Sequence, residues 1–213
     1  MTDITNLLGK IHNVDCLPFM RSLPDKCVDL VLTDPPWNQG YFKDDEKSDE
    51  NFRQWVKEVK ENSERLAPSV AMFFSTKTIP IISDLFKGYE FMASVKNFSQ
   101  MTPKKLPNCW DIVYIKYEKY NGNGRNWYLS NTAGMLSERT EHPTPRALDV
   151  ISYITEIISD KGQIVFDPFM GSGTTAVACE RLGRKWFGCE LEPKYCAIAN
   201  KRIEAERAQL KLF

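Results

Sequence analysis

Residues 163–191 read QIVFDPFMGSGTTAVACERLGRKWFGCEL, and this stretch determines the fold that we expect. The apolar run QIVFD enters a glycine-rich turn, a helix follows to about Gly183, and a second apolar run, KWFGCEL, ends next to an acidic residue. A strand, a turn, a helix and another strand form one unit of an α/β sheet. Ligands of such sheets bind beyond the carboxyl ends of the strands.

The turn has the pattern of a nucleoside-binding loop. The hexapeptide GSGTTA (171–176) fits G-x-G-x-x-G/A, and Glu190 follows at the end of the next strand, where a carboxylate can accept hydrogen bonds from ribose hydroxyls. Asp167 would repel a pyrophosphate but attract the ammonium group of an amino-acid-bearing nucleoside. We therefore favour S-adenosylmethionine over a nicotinamide dinucleotide, and a tight turn without a ligand is the alternative.

A second buried strand, CVDLVLT (27–33), leads into Asp34, Pro35, Pro36 and Trp37. Prolines fix the backbone and lack an N–H, so this loop can present carbonyl oxygens beside the carboxylate. The two acceptors together can bind both hydrogens of an exocyclic amine and make its nitrogen a nucleophile, and Trp37 can stack on an extruded base. The alternative is a structural proline turn beside a core tryptophan.

Apolar periodicity predicts further strands and helices along the chain. We expect strands at 70–75, 91–98 and 110–117 and helices at 51–66, 79–86, 147–159 and from Pro193 onward. This alternation predicts an α/β protein with a mostly parallel sheet flanked by helices, in a single domain spanning 1–213.

Composition excludes several classes of protein. Lys plus Arg and Asp plus Glu both total 28, so the chain is not a strongly basic nucleic-acid coat. No apolar run approaches the roughly 20 residues of a membrane span and the start is polar, so we expect neither a membrane nor a secreted protein but a cytoplasmic one. The six cysteines form no CxxC pair and there are two histidines, so we expect no metal site.

Two segments carry local charge. Segment 96–128 has six basic and two acidic residues interleaved with aromatic residues, which suits a nucleic-acid surface and makes Lys104, Lys105 and Arg125 candidate DNA contacts. A solvated face beside strand aromatics explains the same pattern. The acidic loop 43–50 is either solvated or a lid over the extruded base.

The motifs LTDPPW (32–37), EHPTPRALDVISYI (141–154) and FDPFMGSGTT (166–175) together resemble those of the β-class amino-methyltransferases of DNA, in which the catalytic motif precedes the cofactor motif. The resemblance implies a Rossmann-like fold that uses S-adenosylmethionine to methylate N6 of adenine or N4 of cytosine, often within restriction–modification systems. The ending RIEAERAQLKLF (202–213) is similar to endings of phage and prophage adenine methylases.

The resemblance also assigns roles to single residues. It implies that Asp34, Pro35, Pro36 and Trp37 form the catalytic loop. It implies cofactor contacts by Asp15 and Cys16 at the adenine, by Asp167, Pro168, Phe169, Gly171, Ser172 and Gly173 at the methionine part, by Glu190 at the ribose, and by His142, Pro143 and Thr144 at the methionine carboxylate. The family pattern continues Gln-Lys-Pro after this threonine, whereas this chain has Pro-Arg-Ala, so Arg146 is expected to replace the lysine as the partner of that carboxylate.

Target recognition is expected in a short insertion at about 118–140, between the core strands and His142. Its small size predicts a brief or relaxed target sequence, or recognition shared between the subunits of a homodimer. Aspartate before the two prolines favours N6 of adenine in DNA, because cytosine-N4 enzymes of the family more often carry serine there. Cytosine-N4 or RNA methylation, a non-catalytic subunit of this fold and a nicotinamide oxidoreductase are the alternatives.

Overall fold

The computed structural model describes residues 4–39, 48–96, 109–130 and 146–210. Within these ranges eight strands form one sheet. The strands are β1 (Ile11–His12), β2 (Leu30–Thr33), β3 (Ser69–Ser75), β4 (Glu90–Lys96), β5 (Trp110–Lys116), β6 (Trp127–Ser130), β7 (Ile164–Asp167) and β8 (Lys185–Cys189).

The α-helices of the described residues alternate with the strands except at β4, β5 and β6, which have no described helix between them. They are α1 (Cys16–Ser22), α2 (Asp49–Leu66), α3 (Ile79–Ile82), α4 (Leu148–Ile157), α5 (Thr174–Leu182) and α6 (Pro193–Leu210). Side chains cap the start of two of these helices. At α1 the Asp15 carboxylate accepts a hydrogen bond from the backbone N–H of Leu17, and at α2 the Ser48 hydroxyl oxygen accepts one from the backbone N–H of Asn51.

The strand order is β1-β8-β7-β2-β3-β5-β4-β6. In this spatial order, the first five strands (β1, β8, β7, β2 and β3) all run parallel. The strand β5 is antiparallel to both of its neighbours, β3 and β4, and β4 pairs with β6 in parallel. The predicted mostly parallel α/β sheet is therefore confirmed. The edge strand β1 also lies near α6, where Nη2 of Arg207 donates to the carbonyl oxygen of Gly9 at 3.2 Å.

Helices cover both faces of the sheet. Leu30 and Leu32 point into a core with α4, α5 and α6, whereas Val31 between them points into a core with α1 and α2. All three side chains are fully buried, as the period of two in a strand dictates for a sheet covered on both sides. This layering leaves the strand ends as the place for a site.

Two strands were not predicted, because β1 has only two residues and β6 is largely exposed, so neither forms a buried apolar run. The second changes the interpretation of the predicted recognition insertion, since Trp127–Ser130 pairs with β4 as part of the sheet. The predicted helix 79–86 is a single α-helical turn followed by a 3-10 helix, Ser83–Phe86. No helix in the described part of the chain is both long enough and apolar enough to cross a membrane.

Candidate functional site

The two motif-bearing strands are neighbours in the sheet. Parallel pairing of β2 with β7 sets Val31 opposite Phe166, so both strands end at the same edge. Just beyond this pairing, the hydroxyl of Thr33 donates a 2.7 Å hydrogen bond to Oδ1 of Asp167. The Asp34 loop and the glycine-rich turn therefore lie side by side at the carboxyl edge, where ligands of α/β sheets bind.

Asp167 holds the turn together from the inside. Its side chain accepts three bonds: from Thr33, from the backbone N–H of Phe169 at 3.0 Å and from the hydroxyl of Thr175 at 2.6 Å. The residue is 3% exposed, and burial raises the pKa of its carboxyl to about 6 although these donors act in the opposite direction. The structure thus gives Asp167 a role within the turn, and its predicted contact with an ammonium group stays a prediction.

Glu190 links the end of β8 to the same turn. Its Oε2 accepts from the backbone N–H of Gly171 at 2.8 Å, and its Oε1 accepts from that of Glu192 at 2.9 Å. Burial raises the pKa of this carboxyl, and these backbone donors counteract the rise. Each oxygen of a carboxylate has about two lone-pair sites, so Glu190 keeps acceptor capacity beside the turn.

The predicted adenine-contact segment lies next to Glu190. The backbone N–H of Glu190 donates to the carbonyl oxygen of His12 at 3.0 Å, and the Asn13 side chain donates to the carbonyl oxygens of Glu190 and Leu191. Asp15 and Cys16 therefore follow directly after this connection, Asp15 exposed and Cys16 buried. Asn13 was not predicted, because an asparagine in a loop carries no distinctive signal.

Close packing fixes the shape of the turn. At Gly188 of β8, a Cβ would lie 2.5 Å from the carbonyl oxygen of Asp167 and 2.3 Å from Cε of Met170. At Gly173, where φ is +83°, a Cβ would lie 2.9 Å from that of Ala199 in α6. Only glycine fits these positions, so the sequence requirement for glycine here is steric.

Asp34 is held by a guanidinium group. Arg146, directly before α4, donates from Nε to Oδ2 of Asp34 at 2.6 Å and from Nη2 to Oδ1 at 3.0 Å. Its third nitrogen, Nη1, donates to Oδ2 of Asp111 in β5 at 2.6 Å. Burial raises the pKa of the Asp34 carboxyl, and the charge and hydrogen bonds of Arg146 oppose that rise.

In the structure Arg146 pairs with carboxylates of the chain itself, and its predicted contact with a cofactor carboxylate stays a prediction. The planar fork of a guanidinium matches a carboxylate in two parallel bonds, and here two carboxylates of the chain itself, Asp34 and Asp111, occupy it. Asp111 was not predicted as a site residue. A charged residue within the apolar strand WDIVYIK was the available signal, because an isolated buried charge is costly.

Trp37 packs against the same arginine. Its Nε1 donates to the carbonyl oxygen of Phe73 at 3.1 Å, and the guanidinium of Arg146 lies 4.5 Å from the centre of the Trp37 ring and 4.8 Å from that of Phe73. One face of the indole is therefore covered by a cation, and any base stacking must use the other face.

Several predicted residues lie outside the described ranges, and so does most of loop 43–50. They are Lys104, Lys105, His142, Pro143 and Thr144. Arg125 is described, and it is exposed with its guanidinium 5.5 Å from the ring centre of the exposed Trp127. A basic and an aromatic side chain thus share the surface at the edge of the sheet.

The sheet thus places a glycine-rich turn and a DPPW loop at adjacent strand ends, which is the arrangement expected of a nucleoside-dependent transferase. The family model described as DNA methylase, N6_N4_Mtase, matches residues 87–201. The chain belongs to this DNA methylase family. The predicted family and fold class are therefore confirmed.

Relatives and solved structures agree with this assignment. The type II methyltransferase M2.DpnII of Streptococcus pneumoniae is 40% identical over 94% of this chain and 91% of its own length. The DNA adenine methyltransferase YhdJ of Escherichia coli K12 is 25% identical over 91% and 82% of the respective chains.

Two solved structures have the same fold. The complex of M1.HpyAVI with SAM superposes with a TM-score of 0.66 at 25% identity and covers 91% of this chain and 98% of that one. The cytosine-N4-specific PvuII DNA methyltransferase superposes with a TM-score of 0.70 at 20% identity, over 92% and 89% of the two chains.

Proposed function

We propose that this protein transfers a methyl group from S-adenosylmethionine to N6 of an adenine extruded from DNA. The observation that carries the proposal is the position of Asp34, which lies at the strand end next to the glycine-rich turn, joined to it through the bond between Thr33 and Asp167. A catalytic carboxylate and a cofactor loop must be neighbours for direct transfer between two bound molecules.

The residues at the turn fit S-adenosylmethionine. Glu190 keeps acceptor capacity for ribose hydroxyls, and the turn after β7 is the nucleoside-binding position of α/β sheets. Asp15, Cys16, Phe169, Gly171 and Ser172 adjoin these two points and are the proposed contacts, with Pro168 and Gly173 shaping the turn. His142 and Thr144 complete the proposed set. When bound, the cofactor supplies an electrophilic methyl group on a sulfonium.

The loop after β2 supplies the chemistry of the acceptor. The Asp34 carboxylate and a carbonyl oxygen of the Pro35-Pro36 segment accept hydrogen bonds from the amine, which draws its lone pair out of conjugation with the ring. Asp34 can also hold the proton that the amine loses, since burial raises the pKa of this carboxyl. Trp37 is the proposed stacking partner of the extruded base, through the face opposite Arg146.

Adenine is the favoured base. The residue before the two prolines is aspartate, and a relative whose name specifies adenine aligns along 91% of this chain. The similar fold of a cytosine-N4-specific enzyme keeps cytosine as the second candidate.

DNA contacts are proposed for Lys104, Lys105 and Arg125. We propose one catalytic domain over 1–213, with target recognition in the segment at about 118–140 outside β6. Recognition shared within a homodimer and action in the bacterial or phage-host cytoplasm belong to the same proposal.

The test is a nucleoside analysis. Purified protein is incubated with unmethylated DNA and S-adenosylmethionine, the DNA is digested, and the nucleosides are identified by mass spectrometry beside a parallel RNA sample. N6-methyladenine in DNA is the expected product. N4-methylcytosine would overturn the assignment of adenine as the base. Methylation of RNA but not DNA would overturn the assignment of DNA as the substrate. No product despite measured cofactor binding would indicate a non-catalytic subunit.

A further inference from the structure

Four charged side chains form a line into the proposed catalytic loop. Lys96 at the end of β4 lies 2.9 Å from Oδ2 of Asp111, Arg146 bridges Asp111 to Asp34, and the charges alternate in sign along the line. The line crosses from β4 through β5 and the start of α4 to the loop after β2. We call these residues, Lys96, Asp111, Arg146 and Asp34, the charge line.

The central arginine has little freedom to move. Its side chain is 12% exposed, three of its nitrogens donate to two carboxylates, and the rings of Trp37 and Phe73 both contact its guanidinium. A planar group held by three directed bonds and two aromatic rings has one orientation. Asp34, bonded to it through both oxygens, is therefore oriented too.

Asp111 is buried at some cost. The residue is 1% exposed, and although its Oδ2 contacts both Arg146 and Lys96, its Oδ1 has no hydrogen-bond partner among the described residues. Burying a carboxylate with one oxygen unsatisfied is unfavourable, so such a residue is weak evidence for stability alone. Its position instead suits a role in fixing the arginine.

Asp34 remains able to bind an amine while it is held. Arg146 uses one lone-pair site on each of its oxygens, and a carboxylate offers about four such sites in all. The carboxylate is partly exposed, whereas Asp111 behind the arginine is not. The arginine therefore orients Asp34 and leaves acceptor sites on its oxygens for the amine.

We propose that Arg146 is the positioning residue of Asp34, and that Asp111 fixes Arg146 in that place. This inference rests on the proposed function, because it assigns Asp34 the amine. Arg146 acts through Asp34 and contacts neither reactant in the proposal.

The electrostatics give the two residues opposite effects. Among the described residues, the charged groups around Asp34 are Arg146 just before α4, Asp111 from β5 with Lys96 of β4 behind it, and Asp167 from β7. Removing Arg146 leaves the partly buried carboxylate of Asp34 near two others, which raises the pKa of Asp34. Removing the charge of Asp111 leaves two cations nearby, which lowers it.

The experiment compares the variants Arg146→Met, Arg146→Lys and Asp111→Asn. The readouts are the pH profile of kcat for DNA methylation and, in the free protein, a ¹³C NMR titration of the Asp34 carboxyl, with its signal assigned by its absence in Asp34→Asn. The matched control is Arg53→Met, because Arg53 also pairs through two nitrogens with a carboxylate, Asp84, but on the surface.

Arg146→Met should lower kcat about 100-fold at neutral pH and move the acid limb to higher pH. Arg146→Lys should keep the acid limb near its wild-type position, because the positive charge is retained. Its kcat should lie between those of the wild type and Arg146→Met, since an ammonium cannot bind both oxygens of Asp34 as the planar guanidinium does. Asp111→Asn should lower kcat about 10-fold and move the acid limb to lower pH. Arg53→Met should change neither.

The inference would be overturned if the acid limb stayed at its wild-type position in both Arg146→Met and Asp111→Asn. It would also be overturned if the limb moved in the same direction in these two variants. If Arg146→Met does not fold, as seen by circular dichroism, Arg146→Lys and Asp111→Asn still decide it. A wild-type protein that methylates nothing refutes the proposed function, and the NMR titration then tests the charge line independently.

Discussion

The hydroxyl of Thr33 donates to the carboxylate of Asp167, 134 residues further along the chain. The first residue immediately precedes Asp34 and the second immediately precedes the glycine-rich turn. One hydrogen bond thus sets the spacing between the proposed catalytic loop and the proposed cofactor loop.

Replacing Thr33 by valine tests this link. The substitution keeps the shape but leaves the buried carboxylate one donor short, so we expect the free energy of unfolding to fall by about 2 kcal/mol and methyl transfer to fall as well. Thr155→Val in α4 is the control, since its hydroxyl also makes one buried bond, to the carbonyl oxygen of Ile151. Denaturant unfolding should show a loss in both variants, and turnover should drop in Thr33→Val alone.

Asp34→Asn should abolish chemistry while sparing cofactor binding. A neutral amide oxygen is a weaker acceptor than a carboxylate and cannot take the proton of the amine, so we expect kcat to fall by about 100-fold or more, with the Kd for S-adenosylmethionine nearly unchanged. Calorimetry and a methylation assay measure the two quantities. The exposed Asp25→Asn should behave like the wild type. Near-normal turnover in Asp34→Asn would refute the proposed role.

Glu190→Gln should weaken cofactor binding directly. The variant keeps the shape of the side chain but loses the charge and one acceptor, so we expect Kd for S-adenosylmethionine to rise about 10-fold. Glu192→Gln, two residues away and exposed, is the matched control and should leave Kd unchanged. Equal Kd values for both variants would show that Glu190 serves the fold only.

The pKa of Asp167 predicts a pH dependence of stability. Burial raises this pKa from 3.8 to about 6, so the folded state binds the proton more tightly than the unfolded state does. The contribution of the group is therefore complete below about pH 4 and is lost as the pH rises through about 6, which amounts to about 3 kcal/mol.

Asp167→Asn removes that titration. We expect the wild type to lose about 3 kcal/mol relative to the variant between about pH 4 and about pH 7, as measured by denaturant unfolding at each pH. Groups that do not interact with Asp167 titrate alike in both proteins and cancel from the difference, and Asp34, which does interact with it, adds a smaller change. A difference that does not vary with pH would contradict the buried, proton-binding carboxyl.

Gly188→Ala should distort the turn. The new Cβ would collide with the carbonyl oxygen of Asp167, and backbone cannot rotate away as a side chain can. We expect a loss of about 1–3 kcal/mol in unfolding free energy and weaker cofactor binding. At Gly88, where φ is +86° but a Cβ meets nothing within 4 Å, alanine should cost stability through backbone strain alone and leave cofactor binding intact.

The regular elements near the two motifs could be predicted because their strands are buried apolar runs and their ends are marked in the sequence. The strand before Asp34 and the helix after Gly173 are flanked by prolines or glycines, which mark their ends. The two-residue β1 and the four-residue β6 lack such a signal, and tertiary pairing with β8 and β4 creates them.

The site was predicted as motifs but not as a network. Glu190 could be placed at the turn because its distance along the chain from the glycines is short. The pairing of Arg146 with Asp34 could not be predicted, because 112 residues separate them and the sequence gives no register between them. The prediction of a cofactor carboxylate partner followed the family pattern, whereas the structure offers the arginine two carboxylates of its own chain.

The bond between Arg207 and Gly9 has a consequence for how the chain could be rearranged. Residues near the two ends of the sequence are in contact, and the exposed loop around Gly124 lies between the two motifs. A circular permutant with joined ends and a new opening at that loop would keep every strand neighbour, yet its glycine-rich turn would come before its DPPW loop. The linear order of the motifs is thus a property of where the chain is cut, and the same catalytic architecture is compatible with either order.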